Sequence, residues 1–454
     1  MVERADMKEI TTIVLAAGEG TRMKSSLPKL LHKVAGLEII AHVLMAAKGA
    51  GTTDLAIITG KNQDKFSATI QKIAPDAHLF EQSEQKGTAH AAQMAESLWQ
   101  KANGYVIVVY GDHPLLRAHN FELITKQLDA GKDVCILGFE PYDATGYGRF
   151  ITDGDKLLDI VEHKDASKKQ REIKLCNACI LGFTAEAFKK TIQLVGNDNV
   201  QNEYYLGDLV PLANEQGFDV TYAIAPANDV HGVNNRLQLA EAEQIFQNRL
   251  RENYMTEGVT LKDPQSTFFA YDTKIGTDVI IEPNVIIGTG VEIGKGANIL
   301  GFCHIEQAKI GENANIGPFA RLRPGANLSE NVKVGNFVEV KKSNIAKGAK
   351  LNHLSYIGDA EIGKNANIGA GTITCNYDGV NKHKTIIGEG VFVGSNTSLI
   401  APVKIEQGAY IASASVITNN VPKDALAIAR VKQVNKEGYA PKMKARALAI
   451  KNKK

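Results

Sequence analysis

Cysteine is scarce in this sequence, with five residues in 454. That is too few for a disulfide framework. Cys176 and Cys179 form one C-x-x-C inside KLCNACILGF, and no second pair at similar spacing completes a zinc set, so buried strand cysteines are expected. Long apolar runs are missing too. No segment offers the roughly 18 apolar residues of a membrane span, and the N-terminal MVERADMKEITT has no apolar signal core. An excess of one charge is also missing. Lys+Arg 52 stands against Asp+Glu 50, which gives no electrostatic case for a nucleic-acid partner. Only Lys442, Lys444, Arg446, Lys451, Lys453 and Lys454 form a cationic end, and a solvated, frayed tail is expected there. These absences point to a soluble cytoplasmic protein that has neither nucleic acid nor membrane as a partner.

What is present is a six-residue apolar period. Ile275, Ile281, Ile287, Ile293, Ile299 and Ile305 follow it. It resumes as Ile310, Ile316, Leu322, Leu328, Val334 and Val340. It returns as Ile387, Val393, Leu399, Ile405, Ile411 and Ile417. Neither a helix nor a lone strand has that period; a parallel β-helix does, with each short strand forming one side of a coil. The aliphatic residue faces the core, and the Gly after it (276, 288, 294) is expected to let the chain turn the corner. One rung cannot bury its apolar face alone, so the rungs stack. The β-helix is expected over about 266–430.

The first half reads differently. TIVLAA, DLAIIT, AHLFEQ and YVIVVYGD read as strands, separated by helical segments. That alternation predicts a parallel sheet with helices on both faces. A chain of this length holds more than one domain. The boundaries expected are 1–235, a connecting helix at 236–258, and 259–454.

Two stretches carry chemistry. In Leu15-Ala16-Ala17-Gly18-Glu-Gly20-Thr-Arg22-Met-x-Ser-x-x-Pro28-Lys29 a strand gives way to a glycine-bearing loop, where backbone amides can cradle phosphate. A third Gly is absent, so this is no dinucleotide fingerprint, and Gly-Lys-Ser/Thr is absent, so it is no Walker loop. Asp112 ends a strand on the same crevice, where a carboxylate suits Mg²⁺ or caps a helix. In the second half the period breaks between Thr374 and Ile387, and a loop leaves the solenoid there. His353, Arg323, Lys341 and Lys342 are expected near it in coil space, a grouping that suits an anionic substrate as well as ordinary surface charge.

The first of these motifs resembles the signature of sugar-phosphate nucleotidyltransferases. The resemblance continues through Gln82 with Gly87-Thr88, Tyr110-Gly111-Asp112, Thr145-Gly-Tyr-Gly148-Arg, Glu162-His-Lys-Asp, Asn177 and Gly232-Val-Asn234-Asn235-Arg. It extends through Arg321-Leu-Arg323-Pro-Gly, Asn336-Phe-Val-Glu339-Val-Lys341-Lys342, His353-Leu-Ser-Tyr356 and Ile368-Gly-Ala370-Gly-Thr-Ile-Thr-Cys-Asn376-Tyr377-Asp-Gly. Together these are similar to the bifunctional N-acetylglucosamine-1-phosphate uridyltransferase / glucosamine-1-phosphate N-acetyltransferase family. It implies an α/β nucleotidyltransferase domain with a Rossmann-like mixed sheet, then a left-handed parallel β-helix of hexapeptide repeats. It also implies a homotrimer and a place in UDP-N-acetylglucosamine synthesis, the precursor route to peptidoglycan and lipopolysaccharide.

The resemblance implies roles residue by residue. UTP and the sugar nucleotide would meet Leu15, Ala16, Ala17, Gly18, Lys29, Gln82, Gly87, Thr88, Tyr110, Gly111, Asp112, Gly148, Glu162, Asn177 and Asn234. Gln82 and Gly87 would hold uracil, and Gly148, Glu162 and Asn177 the sugar of N-acetylglucosamine 1-phosphate. Asp112 and Asn234 would ligate Mg²⁺, and Arg22 and Lys29 would act on the phosphates. In the second half His353 would be the general base, and Arg323, Lys341, Tyr356 and Asn367 would bind glucosamine 1-phosphate. Ala370, Asn376, Tyr377, Ser395, Ser413 and Arg430 would meet acetyl-CoA, the acetyl donor. Four positions depart from the family pattern: Ala178-Cys179 stands for Thr-Gly, His231 for an acidic residue, and Ser413 for Ala. A β-helix that only regulates the first domain, or only scaffolds it, is the rival reading. A bare scaffold has no need of His353 or the 374–387 loop.

Overall fold

The computed structural model describes residues 8–452 apart from 62 and 200. Lys453, Lys454 and the start of the N-terminal segment lie outside the described residues. The chain divides into two compact units after Glu252.

The first unit is a sheet wrapped by helices. In chain order it contains β1 (Ile10–Ala16), α1 (Ile39–Gly49), β2 (Asp54–Thr59), α2 (Gln63–Ile73), β3 (His78–Glu81), α3 (Thr88–Gln93), β4 (Tyr105–Tyr110), α4 (Ala118–Asp129), β5 (Val134–Phe139), β6 (Arg149–Asp153), β7 (Lys156–Val161), β8 (Cys176–Thr184), β9 (Val220–Ile224) and all but the last turn of α5 (Arg236–Thr256). The strand order is β3-β2-β1-β4-β8-β5-β9-β7-β6. Strands β1, β2 and β4 are apolar almost throughout and buried on both faces, as parallel strands covered by helices must be. Their parallel pairing brings the ends of β1 and β4 together, with Leu15 facing Tyr110.

The four strands expected to lie parallel, β1 to β4, do so, and the sheet becomes mixed at β8, which runs antiparallel between β4 and β5. Local alternation could not reveal this, because β8 enters the sheet from a distant part of the chain. Gly182 makes the position possible: a Cβ there would stand 2.1 Å from Ile124 Cγ2 of α4. The register of β8 shifts between Asn177 and Leu181. Such a bulge re-aims side chains, and here Asn177 and Cys179 both line the crevice.

Helix α5, read as a connection, packs against the first unit. Glu243 Oε2 accepts the Ala35 N–H at 2.7 Å, and Arg249 Nη1 donates to Leu115 O at 2.8 Å.

The second unit is the β-helix. Three parallel sheets form its faces. The first face runs from Thr260–Leu261 to Leu426–Ala427, the second from Phe268–Phe269 to Val416–Ile417, and the third from Lys274–Ile275 to Val403–Ile405. It therefore starts before residue 266. The six-residue period fills the core: Ile281, Ile299, Ile316, Val334, Leu351, Ile368, Val393 and Ile411 stack down the first face, all buried. The glycines at 276, 288 and 294 do a different job from the one expected. Gly276 lacks a positive φ, and a Cβ on it would meet Lys295 N of the next coil at 2.7 Å. Close stacking requires it, whereas corners are turned by left-handed residues such as Asp278, Asn284 and Phe302. The tail is no frayed coil as far as Lys451: α6 (Tyr439–Lys451) is a helix with no buried residue.

Candidate active sites

The first site lies at the carboxyl ends of β1 and β4, where ligands bind in open α/β sheets. Gly111 N–H donates to Leu15 O at 2.8 Å, joining the two strand ends. Gly20 takes a left-handed conformation, φ 65°, and a Cβ there would stand 2.5 Å from Lys29 Cβ. The loop thus folds back so that Lys29 points into the crevice. Leu15, Ala16, Ala17, Gly18, Lys29, Gln82, Gly87, Thr88, Tyr110 and Asp112 line one cavity of about 270 Å³. An adjoining cavity of about 600 Å³ shares Thr88, Tyr110 and Asp112 and is lined by Arg22, Gly148, Glu162, Asn177 and Asn234. Glu203 lines both cavities. The sequence reading passed over it because it sits in an irregular segment with no motif of its own.

Charge in this site is organised around Lys29. Its ammonium donates to Asp112 Oδ2 at 2.6 Å and to Asn234 Oδ1 at 3.1 Å. Arg22 Nη2 donates to the same Asn234 oxygen at 3.0 Å. Burial by itself pushes the Asp112 carboxyl up, but Lys29 and the His113 ring, 2.9 Å from its other oxygen, hold it well below the usual carboxylate range. Two oxygens from separate segments thus converge on one cation. An all-oxygen donor pair of this kind fits a hard divalent metal, which keeps waters and substrate phosphates as its remaining ligands.

The larger cavity has its own hydrogen-bonded wall. Asn177 N–H donates to Gly148 O at 2.9 Å, and Asn177 Oδ1 accepts from Cys179 N at 2.8 Å. Cys179 has φ 59°, where glycine is the easy occupant, and burial pushes its thiol well up. Burial, then Asp165 and Asp208, raises the Glu162 carboxyl. In the smaller cavity Gln82 Nε2 donates to Gly87 O at 3.0 Å. His231 Nε2 lies 3.3 Å from Glu241 Oε2, and burial lowers its pKa.

The second site follows from coil stacking. At the corner after the first face, each coil hands a hydrogen bond to the one before. Leu354 N–H donates to Asn336 O, Gly371 N–H to His353 O, Asn396 N–H to Ala370 O, and Ala414 N–H to Ser395 O. Arg430 Nη1 closes the series on Ser413 O at 3.0 Å. His353, Ala370, Ser395, Ser413 and Arg430 therefore form one column.

Arg323 and Lys341 occupy the next corner. Lys341 faces Gly358, at the far end of the strand Tyr356–Gly358. They are not beside His353 within one chain, contrary to the sequence expectation, because a whole strand of the second face intervenes. Arg323 Nη1 donates to Glu339 Oε1 at 2.7 Å. The Lys382 ammonium stands against Lys341 and, with burial, lowers its pKa. Two facing ammonium groups suit an anion. Sequence reading missed Lys382 because only the hairpin after Cys375 carries it back to Lys341.

That hairpin is closed by His383 N–H donating to Asn376 O at 2.8 Å and by the Tyr377–Lys382 pairing. Asp378 accepts from Val380 N at 2.8 Å, Asn381 N at 2.6 Å and His383 Nε2 at 2.7 Å. Asn376 is buried and donates to Asp359, while Tyr377 is exposed. Tyr356 folds over Gly358, where a Cβ would meet its hydroxyl at 2.4 Å. Asn367 lies apart, on the first face between Lys350 and Phe392.

Comparison with known proteins agrees with this division. Residues 12–151 match the MobA-like NTP transferase domain, and residues 384–419 match the bacterial transferase hexapeptide (six repeats). The bifunctional protein GlmU of Brucella anthropi is 50% identical over 440 residues, covering 97% of each chain. GlmU of Xanthobacter autotrophicus is 49% identical, covering 96% of this chain and 98% of that one. GlmU of Bartonella quintana is 45% identical, covering 99% of this chain and all of that one. The chain belongs to the bifunctional GlmU family, the uridyltransferase and acetyltransferase of UDP-N-acetylglucosamine synthesis that its motifs resemble.

Proposed function

We propose that the first unit transfers uridylyl and the second transfers acetyl, each with the residues its crevice or corner collects. The observation that carries the first half is the convergence of Lys29, Asp112 and Asn234 on one point. N-acetylglucosamine 1-phosphate and UTP enter the joined cavities. Gln82 and Gly87 hold uracil; Gly148, Glu162 and Asn177 hold the sugar. A phosphate oxygen of the sugar attacks the α-phosphorus of UTP, forming one P–O bond while the bond to pyrophosphate breaks. Arg22 and Lys29 neutralise the charge that develops, and positioning supplies the remaining acceleration. Asp112 and Asn234 would hold Mg²⁺, which would supply further neutralisation of the triphosphate.

In the second unit, Arg323, Lys341 and Lys382 bind the phosphate of glucosamine 1-phosphate. Its amine attacks the acetyl carbon of acetyl-CoA, the C–S bond breaks, and His353 takes the amine proton. A free amine is needed because an ammonium has no lone pair, and a positioned imidazole is the commonest side chain to take such a proton. Ala370, Ser395, Ser413 and Arg430 offer a continuous edge for acetyl-CoA, and Asn376 and Tyr377 complete its contacts from the hairpin.

His353 and the phosphate cations occupy successive corners, so a second copy of the chain brings one set against the other. A homotrimer about a threefold axis does this with a single repeated interface. An apolar ridge supports it. Phe302, Phe319 and Phe337 stack along one corner with ring centroids 4.8 and 5.2 Å apart, and they end at exposed Leu354. Light scattering is expected to return three times the 49.1 kDa chain mass; an active monomer would defeat the shared site.

The two half-reactions separate by mutation. Asp112→Ala should stop pyrophosphate release and spare acetylation. His353→Ala should lower acetyl kcat by about 10²–10⁴-fold and spare uridylyl transfer. Either variant retaining both activities would return its residue to a structural role.

A further inference from the structure

His353 ends the strand Lys350–His353, and its partner one coil earlier is Asn336. Asn336 Oδ1 stands 2.5 Å from His353 Nδ1. An amide oxygen only accepts, so this contact places the hydrogen on Nδ1. Nε2 then keeps the lone pair. The contact is built into the coil. Strands of one sheet stack about 4.8 Å apart, so outward side chains at paired positions must meet. Leu354 N–H donates to Asn336 O at 3.1 Å. A Cβ at Gly335 would stand 1.7 Å from Asn352 O, so only glycine lets the two coils close up there. His353 itself is exposed, and among the described residues this is its ring's one hydrogen bond.

We propose that Asn336 is a positioning residue for acetyl transfer. It holds His353 in the tautomer with hydrogen on Nδ1, so that Nε2 receives the amine proton. This rests on the reading of His353 as the base. Without Asn336 the exposed ring samples both tautomers and more than one orientation, and only part of that population can accept a proton at the right atom.

The test compares Asn336→Leu, Asn336→Asp and His353→Ala, following thiol release from acetyl-CoA with glucosamine 1-phosphate. Uridylyl transfer by the same preparations reports on folding. Asn336→Leu should lower acetyl kcat about tenfold or more, out of the roughly 10²–10⁴-fold a positioned base contributes, with both KM values little changed. Asn336→Asp keeps an acceptor of the same shape, so it should restore most of kcat. Its carboxylate favours the imidazolium, so the acid limb of the pH–rate profile should move to higher pH. A purely structural Asn336 would leave that limb in place. Wild-type kcat in Asn336→Leu, beside an inactive His353→Ala, would overturn the positioning role alone. An active His353→Ala would overturn the base reading beneath it. An Asp variant as slow as the Leu variant would overturn the tautomer, since the amide would then be donating to Nδ1. Should the Leu variant fail to fold, the Asp variant's kcat and acid limb decide the matter.

Discussion

Lys29 Nζ bridges Asp112 and Asn234, 2.6 Å from a carboxylate on one strand end and 3.1 Å from an amide more than a hundred residues further along. Lys29 and Asp112 expose only 11% and 13% of their side chains. A buried pair that loses one member leaves an uncompensated charge, at a cost of about 3–5 kcal/mol. Lys29→Met should therefore lower the urea midpoint of the first unit as well as abolish uridylyl transfer. The loss in stability should shrink at acid pH. Asp112's carboxyl is depressed when folded, so its contribution is present above the unfolded carboxylate value and fades as pH falls towards the folded one. A midpoint unaffected by the mutation would mean the pair is not formed in solution.

Lys382 faces Lys341, and its ammonium outweighs the nearby Asp359 carboxylate in setting the Lys341 pKa low. A hydrogen bond to a charged group contributes roughly 1.5–3 kcal/mol. Lys382→Ala should raise KM for glucosamine 1-phosphate by roughly tenfold or more at 1.4 kcal/mol per decade, leaving KM for acetyl-CoA unchanged. Steady-state kinetics in each substrate checks this. Equal rises in both would place Lys382 in general folding of the hairpin.

Asp208 offers a pH prediction. Burial, then Asp159 and Asp165, pushes its carboxyl up to about 6 from 3.8. The folded state then binds more protons than the unfolded state between those values, so stability falls as pH rises through the window. Above about 6 the penalty is complete. Asp208→Asn should raise the melting temperature at pH 8, and the gain should vanish near pH 4. A gain of equal size at both pH values would point to packing instead.

Asp229 is the electrostatic anchor of the segment that delivers Asn234. Its carboxylate accepts from Arg117 Nη2 at 2.9 Å, Arg249 Nη2 at 2.8 Å and Asn120 Nδ2 at 3.2 Å, and it lies 2.8 Å from His119 Nε2. Asp229→Asn leaves two arginines without their counter-charge and should destabilise the first unit by about 3–5 kcal/mol. Chemical denaturation measures it. Acetyl transfer, carried by the other unit, should persist in native buffer.

The sequence by itself determined the β-helix, because a six-residue apolar period has one common structural solution and every residue of it on the first face is buried. It also determined which residues crowd the first crevice. Leu15–Gly18 and Tyr110–Asp112 each end an unmistakable strand, and strand ends in such a sheet share a rim. Only the tertiary structure decided what depends on long-range pairing. The antiparallel entry of β8, the return of Lys382 to Lys341, and the placing of Asn336 under His353 are each set by a partner far along the chain. Local pattern cannot register these. The same holds for the separation of His353 from Arg323 and Lys341. The residues lie close in the sequence, but a strand of the second face spans the distance between their two corners, and extended backbone advances about 3.3 Å per residue.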